Sequence, residues 1–126
     1  MDHPPVFNSV VTMHTHFSPD LVNEIIHNIT DNFPEASEGV TCTKWNYDKL
    51  LFTFVEEDTE GKTYKVGPAE WLAAFHLMFT SAWPKGLTTP PLSGDPEMWQ
   101  RWYEKSDADD FDAFAQLAIF GEVIYG

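Results

Sequence analysis

The 126-residue sequence contains a single cysteine, Cys42, and few bases: seven Lys and Arg stand against twenty Asp and Glu. One thiol excludes an internal disulfide and fits a reducing compartment. No run of about 18 apolar residues occurs and no apolar stretch follows a basic start, so neither membrane spanning nor export is signalled, and a cytoplasmic location is expected. The shortage of bases leaves a formal net charge of −13, which opposes contact with DNA, RNA or an anionic membrane. Lys44, Lys49, Lys62 and Lys65 do gather near two turns, but Asp48 and the acids of residues 56–60 surround them, so the basic patch needed for direct nucleic-acid binding is missing. Also missing are the GxSxG elbow, the Walker loop, the dinucleotide fingerprint and the kinase signatures.

What is present is a core. Ten Phe, five Trp and four Tyr in a chain of this length supply enough apolar surface for one domain to fold without a metal or disulfide. The acids are uneven, with 7 against 2 bases in residues 1–55 and 13 against 5 in residues 56–126.

Hydrophobic periodicity assigns the elements. "SVVTMHTHF" alternates with period two and predicts one strand. Ser18 as N-cap, Pro19 at the first helical position and Asp20 in the first turn open a helix. Its stripe of Val22, Ile25, Ile26, Ile29 and Phe33 runs until Pro34. "VTCTKWNYDKLLFTFVEEDTEGKTYKV" reads as an antiparallel meander with turns at 46–49 and 58–61. Apolar residues at both Leu50, Phe52, Phe54 and Leu51, Val55 suggest a sheet covered on both faces. A second helix over 67–83, apolar nearly all round, is expected to be the most buried element. A proline-stiffened connection, "LTTPPLSGD", leads to a third helix from Asp95, and a fourth starts at Ser106. The fold class is therefore α+β: a single domain spanning residues 1–126, with a small antiparallel β-meander packed against helices and a helical C-terminal half.

Candidate chemistry is sparse. "SDADDFD" places Asp107, Asp109, Asp110 and Asp112 within six residues, but an EF-hand reading fails at Phe111, Asp112 and Ala118, where a ligand, a glycine and a glutamate belong. A capping-box start with Ser106 as cap and Asp109 three residues on explains part of the cluster. The excess points to a surface that meets cations. His14 and His16 are weak metal candidates, sharing a strand face if the strand is continuous, but they lack a third ligand motif, so no metal or other cofactor is expected. His76 reads as a satisfied core histidine and Cys42 as a buried strand residue. Trp99, Trp102 and Tyr103, beside Glu97 and Glu104, resemble interface anchors rimmed by charge, with core packing as the alternative. The acidic turn Glu56, Glu57, Asp58 and Glu60 is a further candidate contact.

Size and charge compare with immunity proteins to nuclease toxins and with phage-encoded inhibitors of host defence, although no motif places the chain in such a family. The expected function is non-enzymatic: an acidic protein that neutralises a partner by occupying its basic, nucleic-acid-facing site, the partner being a protein such as a nucleic-acid-binding enzyme or complex. An adaptor using the aromatic C-terminal helices, and a small His/carboxylate metal enzyme, are the competing expectations.

Overall fold

A computed structural model describes residues 10–12, 15–32, 36–37 and 39–125. Among these the order is β1 (Val10–Thr12), β2 (Thr15–Phe17), α1 (Pro19–Asn32), β3 (Ala36–Ser37), β4 (Val40–Asn46), β5 (Leu51–Glu56), β6 (Lys62–Val66), α2 (Pro68–Leu77), α3 (Pro96–Lys105) and α4 (Ala108–Phe120). The architecture is α+β, with a helical C-terminal half.

The first strand expected from the alternation is in fact two. β1 and β2 form an antiparallel pair with Val10 opposite Phe17 and Thr12 opposite Thr15. Period two survives a hairpin because each arm alternates, and the corner carries no glycine or asparagine to announce it. Of the two weak metal candidates, His16 lies in β2 and His14 lies outside the described residues. Among the described residues no group of three His, Cys, Asp or Glu is placed to hold a metal.

α1 begins where its sequence signals put it, with Ser18 Oγ accepting from Leu21 N–H at 3.2 Å. It buries Val22, Ile25, Ile26 and Ile29; Phe33 and Pro34 lie outside the described residues. The meander β4–β5–β6 is antiparallel, with Cys42 opposite Phe54 and Phe54 opposite Tyr64. Leu50, in the first turn, and Glu60, in the second, adopt left-handed backbone. Phe52, Phe54 and Val66 face the core, whereas Leu51 is exposed and Thr53 and Val55 are half-buried. Among the described residues the sheet is thus covered on one face only. Its open face alternates the apolar positions with Thr53, Lys44 and Lys65, aligned across three strands, and lysine heads stay in water.

α2 ends at Leu77, six residues short of the expected Trp83. The Thr80 hydroxyl donates to Leu77 O at 2.6 Å, competing with the helical ladder, and Pro84 bars the helix from continuing. Its N-terminus is set by Glu70, whose side chain accepts from Gly67 N–H at 2.7 Å. His76 is exposed, contrary to the core position expected. The most buried helix is α4, which sinks eight residues from Asp110 to Ala118 and packs on α1, α2 and β6. Trp71 of α2 stacks on Phe114 of α4 with centroids 5.9 Å apart and meets Phe52 edge-on at 5.3 Å. The core therefore lies between the sheet and the α2–α4 pair.

The C-terminal tail is pinned across the domain. Gln116 Oε1 accepts from the N–H groups of Ile124 and Tyr125, each at 2.9 Å. The Tyr125 ring occupies the space where a Cβ on Gly39 would sit, 2.6 Å from its nearest ring atom, and Gly39 has φ +80°. Only glycine meets both conditions.

Candidate interaction surface

The connection between α2 and α3 decides what this molecule presents. Proline-bearing segments of this length without regular structure need tertiary anchors, and here they converge on Thr88. Its carbonyl accepts from the indole N–H of Trp83 at 3.2 Å and of Trp102 at 3.0 Å. Its own N–H donates to Asp110 Oδ1 at 2.7 Å and its hydroxyl to Asp110 Oδ2 at 3.0 Å. Trp99 adds a third indole bond, to Ser93 O at 2.8 Å. Three tryptophans and one aspartate hold the connection in a single path.

This arrangement corrects several readings. Asp110 is only 2% exposed, and it faces Thr88, not a partner. It also accepts from Asp107 N–H at 3.0 Å while Asp107 accepts from Asp109 and Asp110 N–H, a reciprocal capping box whose N-cap is Asp107. Ser106 is instead the C-cap of α3, its hydroxyl donating to Trp102 O at 2.7 Å. Trp99 and Trp102 are 1% and 3% exposed; they are core residues and do not anchor an interface. Tyr103 is half-buried, and its hydroxyl pKa is pushed up to about 12, chiefly by burial; Asn28 opposes the shift and Glu24 adds to it.

Glu56 is likewise internal, at 5% exposure. Its carboxylate accepts from the Tyr125 hydroxyl, from Tyr64 Oη at 3.0 Å and from Thr59 Oγ1 at 3.2 Å. The Tyr125 bond, more than any other contact, holds the Glu56 carboxyl below its ordinary range; desolvation opposes this, and Tyr64, Thr59 and Lys62 assist. Asp112 is half-buried and accepts from Gln116 Nε2 at 3.0 Å. Glu57 and Glu60 are exposed, Glu57 accepting from Thr41 Oγ1 at 3.0 Å. The Asp58 side chain lies outside the described residues.

On α3 and at the start of α4 the exposed carboxylates are Asp95, Glu97, Glu104, Asp107 and Asp109. None of the five is in an ion pair among the described residues. Asp95 and Asp107 hold helix N-termini with one oxygen, but their charge remains. From the expected set the structure leaves Glu97, Glu104, Asp107 and Asp109 exposed on α3 and at the start of α4, buries Asp110, Glu56, Trp99 and Trp102, and leaves Glu57 and Glu60 exposed on the β5–β6 turn.

Sequence reasoning overlooked an open groove of about 320 Å³ beside the connection. Its lining includes Met78, Phe79, Trp83, Leu87, Pro90 and Leu92, together with the cation Lys85. Its local signal was Trp83-Pro84 followed by Pro90-Pro91-Leu92, apolar residues in a segment that forms neither helix nor strand. Leu92 is 49% exposed. When compared with protein-family models, curated proteins and solved structures, the chain matches none.

Proposed function

We propose that the protein is a non-enzymatic binding protein that neutralises a partner by covering that partner's basic, nucleic-acid-facing site, in the manner of anti-defence inhibitors or toxin-immunity proteins. The observation that carries this reading is the set Asp95, Glu97, Glu104, Asp107 and Asp109: exposed, free of ion pairs among the described residues, and borne on helices fixed by buried indoles and by Asp110. Carboxylates on a rigid surface offer a basic site fixed anionic charges comparable to phosphates, and the net charge of −13 accelerates encounter with a cationic partner. Two of the aromatic residues on which the adaptor reading relied, Trp99 and Trp102, are in the core.

The test is affinity capture from the native host by the full chain and by a Glu97→Lys/Glu104→Lys/Asp109→Lys variant, each with and without duplex DNA or RNA as competitor. A basic partner retained by the parent, released by nucleic acid and lost by the folded variant is the expected result. Capture that ignores both charge reversal and competitor refutes the proposal.

A further inference from the structure

We infer that the C-terminal tail fills a peptide-binding seat, a site that takes an extended, tyrosine-bearing segment and is occupied in cis by this chain's own residues 122–125; the inference is independent of the function proposed above. The seat is assembled from Gln116 on α4, Glu56 at the end of β5 and Gly39 just before β4. Gln116 is buried, and its amide engages main chain. Oε1 accepts from the N–H groups of Ile124 and Tyr125, each at 2.9 Å, and Nε2 donates to Tyr125 O at 2.9 Å and to Asp112 Oδ2 at 3.0 Å. The N–H and C=O groups of two consecutive residues are what any extended segment presents, and peptide sites draw affinity from such bonds while a side-chain slot supplies specificity. Here the slot takes tyrosine. The Tyr125 ring lies over Gly39 and beside Phe120, with centroids 6.0 Å apart, and its hydroxyl donates to the buried Glu56 carboxylate. Phenylalanine would fill the same space but leave that carboxylate short of a donor. Ile124 is 46% exposed and adds little selection.

The seat belongs to the ordered domain, whereas its occupant is a chain end. Gly39 O accepts from Glu57 N–H at 2.9 Å, and Glu56 is held by Tyr64 and Thr59 as well as by the tail. The tail leaves α4 through Gly121, whose φ of +76° turns the chain back with open space around it, and it continues without helix or strand. A terminus fastened chiefly by one amide side chain and one phenol opens more readily than the whole domain unfolds. Once it opens, Gln116 and Glu56 have lost partners that a tyrosine-bearing segment of another chain restores, so the two compete for one place. Phosphorylated tyrosine is excluded, because its charge would meet the Glu56 carboxylate at close range.

The probe is the capped peptide Glu-Val-Ile-Tyr, titrated into the full-length Tyr125→Ala chain, in which the slot is vacated, while the Gln116 side-chain amide and the Gly39 backbone amide are followed by NMR. Saturable shifts at both are expected, with the phenylalanine and phosphotyrosine versions of the peptide at least about tenfold weaker. The parent is also expected to bind at least about tenfold more weakly, because its own tail competes at an effective concentration on the order of millimolar. Should Tyr125→Ala not fold, Tyr125→Phe, which keeps the ring on Gly39, takes its place. Hydrogen exchange in the parent checks the opening itself: the Ile124 and Tyr125 amides are expected to exchange together and at least about tenfold faster than the amide of buried Phe114. No saturable shift at Gln116 and Gly39, equal binding of the tyrosine and phenylalanine peptides, equal binding by parent and variant, or tail amides as protected as Phe114 would each overturn the inference.

Discussion

Replacing Asp110 by alanine separates a structural acid from a functional one within a single turn of helix. The carboxylate is buried and accepts three hydrogen bonds, two from Thr88 and one from Asp107 N–H. Alanine leaves the Thr88 N–H without its charged acceptor inside the protein, a loss of roughly 1–3 kcal/mol, while the Thr88 hydroxyl rotates to limit its own share. Removing the returning half of the capping box adds about 1 kcal/mol. The expected total is about 2–4 kcal/mol, a large part of a typical stability of about 5–15 kcal/mol. Asp109→Ala makes the same charge change one residue away on an exposed side chain and loses only a favourable dipole contact of about 0.3–1 kcal/mol. The assay is urea unfolding of parent and both variants, with the m-value checked for constancy. Tryptophan fluorescence provides a second readout, since Trp83 and Trp102 share the Thr88 carbonyl that Asp110 positions; Asp110→Ala is expected to shift the native emission to the red. A Thr88→Val background keeps the Thr88 N–H bond and removes only the hydroxyl bond, so in a double-mutant cycle it should absorb the hydroxyl's share and leave most of the Asp110→Ala effect in place. Equal midpoints for Asp110→Ala and Asp109→Ala would refute the reasoning.

Two further perturbations test the buried titratable groups. Glu56 has its carboxyl lowered chiefly by the Tyr125 hydroxyl, so its charged form stabilises the fold above the unfolded pKa and that contribution fades as pH falls from about 4.5 through the folded value. Tyr125→Phe is therefore expected to move the acid-unfolding midpoint to higher pH in a circular dichroism titration, and superposable curves would exclude the contact as a source of stability. Tyr103, with its hydroxyl pushed up from 10.0 to about 12 by burial, favours the neutral phenol in the fold. Stability is complete below the unfolded value and is lost as pH rises through the interval between the two; Tyr103→Phe should flatten alkaline unfolding there, and an unchanged alkaline limb would show that the phenol does not govern it.

Much of the architecture was written locally. Ser18-Pro19 and Asp95-Pro96 mark helix starts because cap and fixed φ act within a turn, and both helices begin there. The isoleucine stripe of α1 and the turn residues of the meander work over similar distances, so their positions were legible from period and composition. The end of α2 was misread because Thr80 and Pro84 compete with a strongly apolar sequence that reads as helix to Trp83.

What the chain could not declare depends on partners distant in sequence. Neighbouring Ser106, Asp107, Asp109 and Asp110 are all competent caps; the path of α3 assigns Ser106 to one helix end and Asp107 to the next. Asp110 is drawn inward by donors on Thr88, 22 residues away, and Glu56 by a tyrosine 69 residues away. No window of local periodicity contains those donors. Trp99 and Trp102 look like interface anchors in sequence because two indoles crowd one short helix, and they are buried because carbonyls at Ser93 and Thr88 are positioned to accept them. Composition determined that the molecule would be acidic and aromatic; tertiary hydrogen bonding decided which carboxylates and rings were left for a partner, since a buried polar group goes where its bonds can be satisfied.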